Sequence, residues 1–210
     1  ESQVTPFRTV SGLMPPSLKV SAFGGDLNLV GDVTLAPSAV GGLEFAAGGS
    51  INGLQPNGVS SQLVPGSSQV AWAGSVINVS DAAPGLIPSV LMPYAYRALV
   101  GDGKTANVTT ENLFLSAVDR LFAETGATAG AADSLQVKQA LHASGLLHFG
   151  DADPVRMYAL GGDISGLTLF APKSARVQAE RDLTDFSLYG QNMGVSDRTV
   201  VGAGRDVVLF

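Results

Sequence analysis

A short corner rich in glycine and aspartate, followed by an aliphatic residue, constrains this fold more than any other sequence feature. Near the start of the chain it reads Gly24-Gly25-Asp26-Leu27, and later it returns as Gly161-Gly162-Asp163-Ile164. Glycine permits tight backbone corners, and an aspartate side chain can bond to the backbone close to it. Each unit therefore predicts a turn that leads into a strand with alternating apolar residues.

Related units occur on both sides of the chain's centre: Gly31-Asp32-Val33, Gly41-Gly42-Leu43, Gly48-Gly49-Ser50-Ile51, Glu180-Arg181-Asp182-Leu183 and Gly204-Arg205-Asp206-Val207. Asp163 and Asp182 are 19 residues apart, and Asp182 and Asp206 are 24 apart. Spacings near 20 suit one coil of a parallel β-helix, in which coils stack at about the 4.8 Å distance between strands. An antiparallel β-sandwich, which also has short strands and glycine turns, is the alternative.

Alternating apolar residues predict further strands, over Gln69 to Ala73, Ser75 to Val79, Leu167 to Phe170, Ala175 to Ala179, Phe186 to Tyr189 and Thr199 to Val201. The pattern is interrupted over 52–100, where proline and glycine are frequent. We interpret that stretch as one or two strands with a long loop, including the apolar run from Leu86 to Tyr96.

Two segments have the periodicity of helices. Apolar residues recur at helical spacing over 110–124, between Thr110 as N-cap and Gly126 as stop, and a second pattern from Asp133 to Gly145 begins like a capping box. The sequence therefore predicts β-solenoid coils with Pro/Gly-rich loops over 1–100, a helical insertion over 101–150 and further coils over 151–210. The chain does not start with Met, and it ends within a strand pattern, so we expect a fragment of a longer polypeptide.

The composition excludes several function classes. Only 14% of the residues are charged, and 26 glycines contribute to a surface low in Lys and Glu. Cysteine is absent, so disulfides and thiolate metal sites are excluded. The net charge of −6 without a basic run argues against nucleic-acid binding, and no apolar run is long enough for a membrane-spanning helix.

The chain has few candidates for catalysis or metal binding. His142 and His148 are six residues apart, which matches no zinc-ligand spacing, and we expect His142 to end the second helix. Asp151 and Asp153, with Asp163 further on, lack the oxygen-ligand run of a calcium loop, so they are interpreted as turn formers. No catalytic residue, cofactor or metal ligand is predicted.

Arg181-Asp182 and Arg205-Asp206 offer the sharpest enzymatic alternative. With Asp163 they fall at equivalent corners, and a charged ladder on a β-helix can bind an acidic sugar, as in a uronate lyase. The simpler interpretation is that each Asp caps a corner and each Arg lies over the next coil. Stacking of these residues along one edge, with no pocket beside them, favours the simpler interpretation, and convergence in a cleft with Arg181 or Arg205 favours the enzyme.

The remaining motifs are weak. Gly101-Asp102-Gly103-Lys104-Thr105 has Ala98 where a phosphate-binding loop needs glycine, so it is interpreted as a surface turn. The tripeptides beginning at Asn78 and Asn107 match the glycosylation sequon but recur by chance. Trp72, Tyr94, Tyr96 and Tyr158 suggest an aromatic platform for sugar as one interpretation, and packing, the more common use of scattered aromatic residues, as the other.

The segment from Asp151 to Ile164, together with the Arg-Asp-aliphatic corners, resembles the large exoproteins of the filamentous haemagglutinin family. The likeness is strongest over 151–210 and extends less specifically to 18–51. The resemblance implies a right-handed parallel β-helix, export through an outer-membrane partner by two-partner secretion, and a role in adhesion, biofilm formation or toxin display.

The expectation is therefore a mainly β chain, a right-handed parallel β-helix with an inserted two-helix segment. We expect it to be secreted or exposed on the bacterial surface, where it binds host or neighbouring-cell ligands and is not an enzyme. A uronate lyase and a purely mechanical spacer are the alternatives. A groove lined with convergent carboxylates and an Arg or Lys base would favour the lyase, and the absence of any concave or aromatic-rich patch would favour the spacer.

Overall fold

The computed structural model describes residues 13–31, 33–54, 62–63, 70–71, 75–86 and 145–208. Within these residues the chain is mainly β, with fifteen strands and a single 3-10 turn at Pro84–Leu86. The prediction of a mainly β chain is confirmed. The helices predicted over 110–124 and 133–145 lie outside the described residues, apart from the terminal Gly145 of the second.

Almost all strands belong to two parallel sheets. Sheet I has eight strands: β1 Leu13–Met14, β3 Leu27–Val30, β4 Val33–Leu35, β6 Ile51–Leu54, β9 Ser75–Val79, β11 Ile164–Ala171, β13 Leu183–Gly190 and β15 Val207–Val208. Sheet II has five: β2 Ser17–Ala22, β5 Gly42–Ala47, β10 Val155–Ala159, β12 Ala175–Ala179 and β14 Val200–Ala203. The remaining pair, β7 Gln62–Leu63 and β8 Val70–Ala71, is antiparallel.

The chain alternates between the two sheets. A strand of sheet II leads through a short corner into sheet I, and we call each such level a rung. The five rungs are β2 with β3 and β4, β5 with β6 and β9, β10 with β11, β12 with β13, and β14 with β15. Because every sheet II strand is followed by a crossing to sheet I and back, neighbouring strands within each sheet run parallel.

Apolar side chains stack in columns between the sheets. One column joins the sheet II strands through Val20, Phe45, Met157, Val177 and Val201. Another follows the corner into sheet I through Leu27, Ile51, Ile164, Leu183 and Val207. The middle members are buried, and each contributes about 1.5 to 3 kcal/mol by leaving water.

An alanine precedes the corner in every rung, at Ala22, Ala47, Ala159, Ala179 and Ala203. The middle three are at most 5% exposed, where the chain turns between the two sheets. A small side chain at this position lets the backbone turn tightly without displacing the neighbouring columns. The corner is thus an Ala, a tight turn, an Asp or Ser and an aliphatic residue.

Two units predicted to be corners of this kind have other roles. Gly41 and Gly42 lie where the chain enters β5 of sheet II, at the opposite end of the rung from the Asp corners. Gly31 lies between β3 and β4 of sheet I, with a left-handed φ of 84°, and Asp32 lies outside the described residues. Local glycine content alone could not separate these positions from true corners, because all of them require a change of chain direction.

Rungs 2 and 3 are adjacent in space although residues 80–154 separate β9 of rung 2 from β10 of rung 3 in sequence. Ile51 pairs with Ile164, and Ile77 of β9 pairs with Leu169 further along the same strand. The predicted strand over 75–79 is confirmed as β9 and completes sheet I in rung 2 after the break following β6. The insertions therefore leave the register of the rungs intact.

Candidate functional site: the corner ladder and the groove beside it

The five corners form a directional ladder of hydrogen bonds. The Ser50 N–H donates to Asp26 Oδ1 over 2.7 Å, and the Asp163 N–H donates to Ser50 Oγ over 3.0 Å. In the next two rungs the Asp182 N–H donates to Asp163 Oδ1 over 3.0 Å, and the Asp206 N–H donates to Asp182 Oδ1 over 3.2 Å. In the first four rungs the corner side chain therefore caps a backbone N–H of the following rung.

The arginines of the ladder pair with the carboxylate of the preceding rung. Arg205 donates to both carboxylate oxygens of Asp182, one of them over 2.7 Å from Nε. Arg181 Nε lies 3.7 Å from Asp163 Oδ1. The hydrogen bond from Arg205 holds the pKa of the Asp182 carboxyl below its ordinary value. These charges are engaged between rungs, but each arginine reaches the preceding rung, and not the next one as the simpler sequence interpretation had it.

Asp163, Asp182 and Asp206 thus lie one above another along a single edge, one per rung. Ser50 occupies the same position in rung 2, within the unit Gly48-Gly49-Ser50-Ile51 that the sequence pattern groups with the aspartate corners. A serine hydroxyl can accept the same hydrogen bond as a carboxylate oxygen, so the serine replaces the aspartate in the ladder. Asp26 completes the series in rung 1.

A groove of about 340 Å³ lies on the outward side of sheet II beside this ladder. Tyr158, Gln178 and Gly202 pair across three successive strands, and Leu160, Glu180 and Gly204 follow them at the corner. Gly202 and Gly204 lack side chains, so the surface of rung 5 is recessed relative to rung 3, where Tyr158 and Leu160 project. The groove offers an aromatic ring, an amide, a carboxylate and open backbone.

Charged side chains form a row along the same outward face, at the other end of the strands. Lys19 Nζ lies 2.5 Å from Glu44 Oε1, and Arg156 pairs with Asp153 over 2.5 Å. The Arg176 side chain is exposed on the next strand, without a hydrogen bond or ion pair to another described residue. This row places an exposed guanidinium on the same face as the groove.

Of the predicted aromatic platform, only Tyr158 lies within the described residues, where it lines the groove. Trp72, Tyr94 and Tyr96 lie outside them. Sequence reasoning missed a different pair, Phe170 and Tyr189, whose rings stack with centroids 4.5 Å apart and an angle of 10° between planes. The parallel register of β11 and β13 brings these two residues together.

His148 and Asp151 belong to a buried cluster that the sequence did not predict. His148 Nδ1 lies 3.5 Å from Asp151 Oδ2, and Lys173 Nζ lies 2.7 Å from the same oxygen. The Asp153 N–H donates to Asp151 Oδ1, a local side-chain-to-backbone bond of the kind that turn-forming aspartates make. Desolvation lowers the pKa of His148, with a further lowering from the nearby Lys173 charge.

The other motifs do not form a site in the described part of the chain. Asn78 is buried in β9, whereas His142, Asn107 and the 101–105 turn lie outside the described residues. No group of three or more His, Asp or Glu side chains there is arranged to hold a metal ion. Nor does any described helix have the length and apolar character needed to cross a bilayer.

Comparisons of the chain with protein-family models, with curated proteins and with solved structures find no match.

Proposed function

We propose that this chain is a structural and adhesive segment of a secreted or surface-exposed bacterial exoprotein, built as a right-handed parallel β-helix. The alternation of the chain between two parallel sheets, rung after rung, supports the β-helical architecture. The resemblance of 151–210 to filamentous haemagglutinins supports the proposed family, export through an outer-membrane partner and the extracellular location. The proposal includes an inserted two-helix segment over 101–150.

The corner ladder is the observation that carries the structural part of this proposal. Four successive hydrogen bonds link equivalent corner residues through five rungs, and two arginines brace the last of them. A ladder of this kind adds one unit per rung and has no natural limit in length. Such nearest-neighbour stabilisation is the property that a long, rod-like exoprotein requires.

The adhesive part is supported by the groove at Tyr158 and Gly202. A concave surface with an aromatic ring and several hydrogen-bonding groups is more than a mechanical spacer requires. The groove is shallow and its side chains are partly exposed, so one site binds weakly. Many copies displayed along fibres convert weak contacts with host or neighbouring cells into firm attachment.

The lyase alternative receives less support from this geometry. Asp163 and Asp182 face arginines of the next rung and cap backbone N–H groups, so their charges are already used within the protein. A lyase needs a free base beside an acidic sugar, together with convergent calcium ligands. The proposed segment therefore has no catalytic role and requires no cofactor.

A cell-binding assay tests the adhesive function. Beads densely coated with the chain are expected to bind epithelial or bacterial cells, and Gly202→Trp is expected to lower binding at least tenfold by filling the groove. A Cβ at Gly202 meets no atom within 4 Å, so this variant can fold. Gly85→Trp is the matched control, because Gly85 is equally open and does not line the groove.

Equal loss of binding in both tryptophan variants would remove the groove from the proposal. Beads that bind no cells would favour a mechanical spacer. Release of unsaturated uronate from polygalacturonate by the chain would replace the proposal with a lyase.

A further inference from the structure

Three ionisable side chains meet inside the protein at the end of the rungs opposite the corner ladder. His148 and Asp151 precede β10, and Lys173 lies in the short connection between β11 and β12. The side chain of Lys173 is 1% exposed, that of His148 is 0% exposed and that of Asp151 is 8% exposed. None of them belongs to the corner ladder or lines the groove.

The two oxygens of Asp151 have different surroundings. Oδ1 accepts a hydrogen bond of 3.1 Å from the Asp153 N–H, which holds it in place and would stabilise negative charge on it. Oδ2 lies 2.7 Å from Lys173 Nζ and 3.5 Å from His148 Nδ1. One oxygen is thus held as a carbonyl would be, while the other faces an amine and an imidazole.

Burial penalises the separate charges of this cluster, although hydrogen bonds from Lys173 and from the Asp153 N–H hold the pKa of the Asp151 carboxyl below its ordinary value. A buried ammonium has three N–H donors, and that of Lys173 has one hydrogen-bond partner among the described residues, Asp151. Burial of such a pair costs several kcal/mol for each ion, and their attraction repays this only with excellent geometry. The Asp151 carboxylate and the Ser80 backbone face the His148 ring, but neither contact reaches hydrogen-bond geometry within the described part of the chain.

We propose that Lys173 Nζ and Asp151 Cγ become joined by an intramolecular amide bond. A proton passes from the ammonium to Oδ2, which leaves a neutral amine beside a carboxylic acid. Nζ attacks Cγ, and charge develops on Oδ1 opposite the Asp153 N–H. His148 takes the second proton from Nζ and delivers it to the departing Oδ2. The C–O bond breaks, one water molecule leaves, and no oxidant or other reactant is consumed.

Two physical conditions favour this reaction. Enclosed, oriented groups react as if present at effective concentrations of about 10⁵ to 10⁸ M, which drives amide formation despite surrounding water. His148 is suited to moving the proton because desolvation lowers its pKa, so the imidazole is neutral near pH 7. The product replaces two buried charges with one neutral amide and ties the segment before β10 to the connection between rungs 3 and 4.

The pair between Lys19 and Glu44 provides a control within the same protein. These groups approach to 2.5 Å, but their side chains are 67% and 28% exposed on the outward face of sheet II. Water stabilises the charged forms there and competes for the carboxyl carbon. We therefore expect no bond between them.

Intact-mass measurement of the unfolded chain tests the proposal directly. The mass is expected to be 18 Da below the sequence value, the loss of one water, and Lys173→Arg is expected to restore the full sequence mass. Lys19→Arg, the matched control, is expected to keep the 18 Da deficit. A wild-type chain at its full sequence mass would overturn the proposal, and this measurement does not depend on any variant folding.

Tryptic mapping locates the bond. Peptide 139–156 should appear joined to 157–176, since trypsin does not cleave after an acylated lysine, and fragment ions should place the link between Asp151 and Lys173. Any other site for the lost water would refute the assignment. His148→Gln is expected to leave most freshly folded chains unlinked, and linkage as complete as in the wild type would remove His148 from the reaction.

Discussion

The corner ladder makes a quantitative prediction at Asp163. Its Oδ1 accepts the Asp182 N–H over 3.0 Å and lies 3.7 Å from Arg181 Nε. Loss of the hydrogen bond in Asp163→Ala costs about 1 kcal/mol, and loss of the partly exposed ion pair adds at most about 0.5 kcal/mol. We therefore expect Asp163→Ala to lower the free energy of unfolding by about 1 to 1.5 kcal/mol, or the melting temperature by roughly 2 to 6 °C.

Asp163→Ser is the decisive companion variant. Ser50 already performs this role in rung 2, where its Oγ accepts the Asp163 N–H over 3.0 Å. A serine at 163 should therefore retain the hydrogen bond and cost only about 0.5 kcal/mol, mostly through the lost ion pair. Urea unfolding monitored by circular dichroism measures both variants, with unchanged m-values as the condition for comparison. Equal destabilisation by Ala and Ser would refute the ladder as a source of stability.

Three further predictions concern the buried interior and Gly166 of β11. Burial lowers the pKa of His148 below its usual 6.5, so the unfolded chain binds more protons than the folded chain as the solution becomes acidic. The free energy of unfolding should therefore fall from pH 7.5 to 5.5, and His148→Phe should reduce this pH dependence. Gly166→Ala should lower the free energy of unfolding by about 1 to 3 kcal/mol, because Gly166 has φ 66° and an added Cβ would meet Gly53 O at 2.7 Å. Gly202→Ala, the control, should leave the urea midpoint nearly unchanged. Met157→Ala should cost about 2 to 5 kcal/mol in the same assay, because Met157 is fully buried, and a neutral result would contradict the stacked interior.

Local patterns predicted most of the described strands. The predicted spans at 75–79 and 175–179 agree with β9 and β12, and the spans near 167, 186 and 199 fall within or beside β11, β13 and β14. Alternation of apolar residues is sufficient there because one face of each strand is interior and the other is outward. The predicted strand over 69–73 overlaps β8, Val70–Ala71, and its other residues lie outside the described part of the chain.

The sites were less predictable than the strands. The ladder of Asp163, Asp182 and Asp206 could be expected from their spacing, since a corner that repeats near 20 residues must stack if the coils do. The groove could not, because it depends on Gly202 and Tyr158 meeting across three strands in one register. Neither residue is distinctive within its own strand.

Sequence alone determined where the chain turns and which residues face inward, because turn chemistry and alternation act over a few neighbouring residues. Tertiary structure decided which turns are equivalent. Ser50 and Asp163 are 113 residues apart yet occupy successive corners, and Gly42 lies at the other end of the rung. Stacking also brought Lys173 to Asp151 in a buried site. Insertions of unequal length hide such pairings from the sequence, since the hydrogen bonds between rungs depend on register and not on distance along the chain.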